Sequence, residues 1–211
     1  MPRLLLFALS LAPVAILGSD GRPADARPAD TRPVIVAFGD SLTAGRPGES
    51  FPEFLQRDLN ARGYRYRVVN EGVPGDTTTD GLARVANVIA HKPRVVVLEF
   101  GGNDGLRGLP VTATRANLEK MIVALRKPGV TIVLAGMTLP PNYGSDYIRP
   151  FEQIYPELAK KYGLKLIPFL LVDVALVPGL MSSDGIHPNA KGAERVALTV
   201  LRALEPLLKK N

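Results

Sequence analysis

The chain is 211 residues long, 46% hydrophobic and 22% charged, with a formal net charge of +6. That balance suits one α/β domain with a sizeable core and excludes a coiled coil, a collagen-like repeat and a wholly disordered chain. The absence of cysteine excludes a disulfide scaffold, a thiolate metal site and a catalytic thiol, and two histidines, His91 and His187, are too few for a multi-histidine metal site.

In chain order, Arg3 is followed by an uncharged, mostly apolar run over residues 4–17. It is too short for a comfortable membrane span and has the form of a secretory signal, so residues 1–26 are expected to be a signal peptide. Cleavage is expected between residues 18 and 26, near Gly18 or at Ala24-Asp25-Ala26. A repeat of Arg-Pro-Ala-Asp without apolar periodicity follows, which predicts a flexible linker over 27–33 and a domain over 34–211. Export makes the expected location periplasmic or secreted. Basic residues are spread along the chain, which predicts a solvated surface and no nucleic-acid partner; only weak attraction to an anionic membrane surface fits the charge.

Short apolar runs over 34–38, 66–70, 95–100, 130–135 and 164–168 predict five strands. Between them lie sets at i, i+3, i+4 spacing that predict helices: Phe51, Phe54, Leu55 and Leu59; Leu82, Val85 and Ile89; Leu118, Met121, Ile122 and Leu125; Phe151, Ile154 and Leu158. Ser50-Phe-Pro-Glu53 has the form of a capping box and should open the first set. Pro156 should kink or split the helix it falls in, and residues 190–208 should form a last helix. Strands alternating with helices imply an α/β fold with a parallel sheet covered on both faces, and five strands suit a flavodoxin-like three-layer α/β/α sandwich. In such sheets the ligand sits outside the carboxyl ends of the strands.

The segments that follow the first three strands carry the chemistry: Gly39-Asp40-Ser41-Leu42, then Asn70 to Thr77 with Gly75, then Gly101-Gly102-Asn103-Asp104. A serine after a Gly-Asp turn is by itself an ordinary cap or turn residue. Its surroundings lack the G-x-S-x-G pattern of an α/β-hydrolase elbow. Asp184-Gly-Ile-His187 supplies what a serine nucleophile needs, a base and a carboxylate three residues away to orient it. Gly75 can bring a backbone N–H close to a substrate, and Asn103 offers an amide donor, both suited to a developing oxyanion. His91, before Lys92-Pro93, reads as an exposed, non-catalytic residue at a helix end.

These four blocks, Gly39-Asp-Ser-Leu42, Gly75, Gly101-Gly-Asn-Asp104 and Asp184-x-x-His187, resemble those of the SGNH (GDSL-type) hydrolases, in order and over residues 34–208. Asn103 to Pro110, Leu139 to Gly144 and Ile154 to Ala159 are similar to stretches of the bacterial thioesterase I/lysophospholipase/arylesterase group. Thr138 stands where some relatives carry a bulkier basic residue. The resemblance implies Ser41 as nucleophile, His187 as base and then acid, and Asp184 as its orienting carboxylate. It implies an oxyanion hole of the Ser41 and Gly75 N–H groups and the Asn103 amide, a strand order of 2-1-3-4-5, and no metal or organic cofactor. Leu106, Arg107 and Leu109, with Leu139 and Pro140, would border the acyl site, while Asp40 and Asp104 would be scaffold for the loops. The expected substrate is a small-molecule acyl ester or thioester, including lysophospholipids and acyl-CoA, and the expected state is a monomer. A carbohydrate O-acetyl esterase or acyltransferase, and a non-catalytic lipid- or glycan-binding protein on the same scaffold, are the alternatives.

Overall fold

The computed structural model describes residues 30–210. The expected signal segment and all but the end of the linker lie outside the described residues. Five parallel strands form one sheet in the order β2-β1-β3-β4-β5: β1 (Val34–Gly39), β2 (Arg67–Gly72), β3 (Val95–Glu99), β4 (Thr131–Ala135) and β5 (Lys165–Ile167). The three central strands are almost wholly buried, which is why they read as continuous apolar runs. At the edges, β2 is only half-buried and β5 is three residues long, the usual ways of blunting an edge.

The helices are α1 (Ser41–Ala44), α2 (Phe51–Ala61), α3 (Thr78–Ala90), α4 (Gly102–Leu106), α5 (Val111–Arg126), α6 (Ser145–Tyr162) and α7 (Ala190–Leu204). α2 packs on α7, and α3 packs on α5 with α6 beyond it, so apolar stripes from two helical layers meet the sheet. The capping box at Ser50 and Glu53 is present, with the Ser50 N–H donating to Glu53 at 3.1 Å. A second box, not expected from the sequence, joins Thr77 and Asp80 at the start of α3.

The break expected at Pro156 is absent. α6 runs unbroken through both Pro150 and Pro156. An interior proline costs about 3 kcal/mol. Phe151, Ile154, Tyr155 and Leu158 are all fully buried from this one helix, and burying each large apolar side chain is worth roughly 1.5–3 kcal/mol. Packing on the sheet therefore outweighs the lost backbone bonds. The last helix also stops at Leu204, short of 208, and a single 3₁₀ turn over Glu205–Leu207 takes its place.

Candidate active site

The carboxyl ends of β1, β2 and β3 deliver the three loops to one edge. β1 ends at Gly39, and Asp40 caps α1 by accepting the Leu42 N–H at 3.0 Å. Ser41 is the first residue of that helix, so its N–H has no carbonyl four residues back and is free for a ligand. The tight passage at Gly39 is forced, because a Cβ there would stand 2.3 Å from Glu99 Oε2 and 2.2 Å from Thr43 Oγ1. Gly75, at φ +84°, needs glycine for its backbone conformation.

His187 arrives from the segment before α7. That segment is a compact loop: the Ser182 N–H donates to the His187 carbonyl at 2.7 Å, Met181 pairs with Pro188, and Asn189 caps α7. It places His187 Nε2 2.8 Å from Ser41 Oγ, across 146 residues of chain. On the other side of the ring, Nδ1 lies 2.8 Å from Asp184 Oδ2. The second Asp184 oxygen accepts the backbone N–H groups of Ile186 and His187, both at 2.9 Å. The His187 N–H, the ring N–H and the Ile186 N–H together hold the Asp184 carboxyl well below the usual carboxylate range. It is therefore an anion wherever an imidazole can be protonated.

Asn103, in the first turn of α4, donates through Nδ2 to Asp40 Oδ2 at 3.0 Å and to the Asp76 carbonyl at 2.9 Å. Arg107 donates to the Gly75 carbonyl at 2.9 Å, which ties the Gly75–Asp76 peptide to the end of α4. Asp104 is buried and accepts from the Thr78 N–H at 2.8 Å, from the Thr78 hydroxyl and from the Thr114 hydroxyl. The structure thus brings Ser41, His187 and Asp184 into one relay, with Asn103 and Gly75 on adjoining loops.

A cavity of about 270 Å³ opens beside Ser41 and His187. Leu42, Phe51, Ala193 and Val196 give it an apolar wall from α1, α2 and α7, with Arg46 and Glu49 among its polar residues. Leu106, Arg107, Leu109, Leu139 and Pro140 are not among its lining residues. Leu106 and Leu109 are half-buried, with their carbonyls accepting from the Tyr143 and Tyr147 hydroxyls. Leu139 is buried where a Cβ on Gly105 would stand 2.5 Å from it, and Pro140 is exposed. His91 is half-buried rather than exposed, with Nε2 2.6 Å from Glu71.

Two charged residues near the site were not apparent in the sequence. The Arg84 guanidinium lies over the rings of Phe38 and Phe100 at 4.8 and 5.7 Å. It donates to the carbonyls of Gly39 and Glu71 at 2.8 and 2.9 Å and pairs with Asp76 at 2.7 Å, fastening the ends of β1 and β2 together. Glu99, at the end of β3, is completely buried and accepts the Asp40 N–H at 3.1 Å and the Thr43 hydroxyl at 2.8 Å. A lone carboxyl closing an apolar strand run was the available signal for Glu99. Arg84 left none, since on a helix it resembles any solvated residue. Among the described residues, no group of three or more His, Cys, Asp or Glu is placed to hold a metal ion, and no helix is long and apolar enough to cross a membrane.

Residues 37–195 match the model of the GDSL-like Lipase/Acylhydrolase family. The chain is 40% identical to Esterase TesA of Pseudomonas aeruginosa over 178 residues, covering 82% of this chain and 89% of that one. Thioesterase 1/protease 1/lysophospholipase L1 of Escherichia coli is 36% identical over 178 residues, covering 82% of this chain and 84% of its own. Among solved structures, AlinE4, described as an SGNH-hydrolase family esterase, superposes with a TM-score of 0.70 at 42% identity, covering 84% of this chain and 97% of that chain. With the strand order, the relay and these matches in agreement, the chain belongs to the GDSL-like (SGNH) lipase/acylhydrolase family and is a hydrolase.

Proposed function

We propose that this chain hydrolyses carboxylic esters and thioesters through an acyl-enzyme on Ser41. The observation that carries the reading is the continuous contact from Ser41 Oγ through His187 to Asp184, at 2.8 Å on each side of the ring, beside a partly apolar cavity. Ser41 Oγ attacks the acyl carbon as its proton passes to His187 Nε2, and Asp184 stabilises the imidazolium. The N–H groups of Ser41 and Gly75 and the Asn103 amide receive the oxyanion. Asn103 already spends both N–H groups on Asp40 and Asp76, so one must be shared with or turned toward the oxyanion as it forms. His187 then protonates the departing alkoxide or thiolate, and water activated by His187 releases the acid.

At about 270 Å³ the cavity lies just below the roughly 300–1,000 Å³ typical of ligand pockets, which favours short to medium acyl or aryl groups. Relatives are named esterase, arylesterase and thioesterase/lysophospholipase, and the substrate class is read across from them. A carbohydrate O-acetyl esterase is the second reading, favoured by the small cavity and by Arg46 and Glu49 in its lining. We place the enzyme in the periplasm or outside the cell on the strength of the apolar segment at residues 4–17, and we take it to act as a monomer. The test is labelling by a fluorophosphonate and turnover of p-nitrophenyl esters of increasing length, acyl-CoA and acetylated sugars. Both activities should vanish in a folded Ser41→Ala protein, and an active one would refute the assignment. Preference for acetylated sugars over acyl esters and thioesters would select the second reading.

A further inference from the structure

Glu99 lies under the active site with a carboxyl that the proposed relay does not use. It is wholly buried, and Oε2 is filled by two donors, the Asp40 N–H and the Thr43 hydroxyl. Oε1 is buried with no donor in reach. The neighbouring carboxyl of Asp40 is itself buried and within hydrogen-bond reach of Glu99. Two carboxylates accept but cannot donate, so an ionised pair here would leave one oxygen unpartnered and two like charges in contact.

We propose that Glu99 is a neutral positioning residue: its carboxyl keeps a proton, donates it as a hydrogen bond to the Asp40 carboxylate, and so fixes the group that orients Asn103 and caps the Ser41 helix. The inference rests on the reading of Ser41 as nucleophile and of Asn103 as an oxyanion donor.

The assignment of the proton follows from the bonds already made. Asp40 accepts the Leu42 N–H on Oδ1 and the Asn103 amide on Oδ2, so it serves best as the anion. Glu99 has a buried oxygen that no donor reaches, the poorer place for a full negative charge. The surrounding groups agree. His187 faces Asp40 and favours its ionised form. The Tyr155 phenol, from α6, is wholly buried, and it donates to the Phe100 carbonyl rather than to either carboxyl. Arg84, from α3, reaches only the Gly39 carbonyl on this side and spends its charge on Asp76 and Glu71. Burial together with the charge of Asp40 raises the Glu99 carboxyl well above the usual range, while Asp40 is pushed up to about 6 and is ionised at neutral pH. The proton therefore sits three links from the oxyanion, along Glu99, Asp40 and Asn103. Losing it would set two anions against each other and release Asp40 from the amide it holds.

Glu99→Gln is the informative variant, since its amide oxygen can accept from Asp40 N–H and Thr43 while its NH2 donates to Asp40 and cannot ionise. Glu99→Met removes donor and acceptors together. Glu99→Met should lower kcat by roughly 10–100-fold with KM changed by less than about threefold, a smaller loss than that of an oxyanion donor itself. Glu99→Gln should restore most of that kcat and extend activity to higher pH than wild type. Infrared difference spectra of wild type minus Glu99→Gln at pH 8 should show the C=O stretch of a protonated, water-excluded carboxylic acid. That measurement needs neither turnover nor the folding of Glu99→Met. Absence of the band in folded wild type, or a Glu99→Gln enzyme as slow as Glu99→Met, would overturn the proposal. Retained labelling in Ser41→Ala would instead break the nucleophile assignment and leave the band untouched.

Discussion

Asp104→Ala offers a stability test whose size can be worked from the contacts. The Asp104 carboxylate is 2% exposed, and it accepts from the Thr78 N–H at 2.8 Å, from the Thr78 hydroxyl and from the Thr114 hydroxyl. Thr78 is the first residue of α3, and its N–H has no partner within the helix. One hydrogen bond to a charged group contributes about 1.5–3 kcal/mol, and an anion at a partly buried helix N-terminus up to about 2 kcal/mol. Alanine leaves the Thr78 N–H buried without an acceptor and frees two hydroxyls, so the loss should be about 3–5 kcal/mol, the range for breaking a buried charged contact. In a domain of this size each kcal/mol moves Tm by roughly 2–4 °C, which gives a fall of about 6–20 °C by circular dichroism. Asp104→Asn keeps one acceptor and can donate to the threonine hydroxyls, so it should fall between. Asp104 also joins the loop of Asn103 to the helix that follows Gly75 and Asp76, and kcat should fall below the melting range as well. A Tm within about 2 °C of wild type would refute the contribution assigned to this contact.

Asn103→Ala should lower kcat by roughly 10²–10³ with a much smaller change in KM, because an oxyanion donor acts as charge develops; a change confined to KM, measured by steady-state kinetics, would make it a ground-state contact. Arg107→Ala should lower kcat roughly tenfold at nearly constant KM if its bond to the Gly75 carbonyl holds the oxyanion loop; a raised KM with unchanged kcat would make Arg107 a substrate contact instead. Asp40 and Glu99 both bind protons more tightly folded than unfolded, so their contribution to stability falls as pH rises from about 4 through 6 and beyond. Urea titrations from pH 5 to 9 should show that fall, shallower in Glu99→Gln, and identical slopes for the two proteins would refute it. Ester hydrolysis should survive EDTA, since a hydroxyl nucleophile with an imidazole base needs no Lewis acid; loss restored by a divalent ion would overturn the mechanism.

The strands were legible because the central ones are buried on both faces, so 34–38, 95–100 and 130–135 stood out as apolar runs against the helical spacing between them. The order of the sheet came from the likeness of the motifs, since local pattern does not say which strand lies beside which. Ser41, His187 and Asp184 were legible for a related reason: the reaction fixes residue types, and the motifs carry them at ordered positions. What periodicity could not give is direction within a buried face. Phe51 and Val196 each belong to an apolar stripe, and nothing in the stripe says that they also wall a cavity beside Ser41. Pro156 misled because a local rule was applied where burial of four large side chains decides.

The same limit explains why Glu99 was hidden and why it matters. A carboxyl at the end of β3 is costly to bury, and the surrounding chain is built to tolerate it. Gly39 leaves room for Oε2, Thr43 turns its hydroxyl inward, and the Asp40 N–H points down at it. Each of these belongs to the segment Gly39 to Thr43 that also presents Ser41. The motif thus has two sides, one facing substrate through the serine and one facing a buried acid through glycine, aspartate and threonine. Since α1 is four residues long, too short to hold its shape by its own hydrogen bonds, the serine's position depends on the anchoring beneath it.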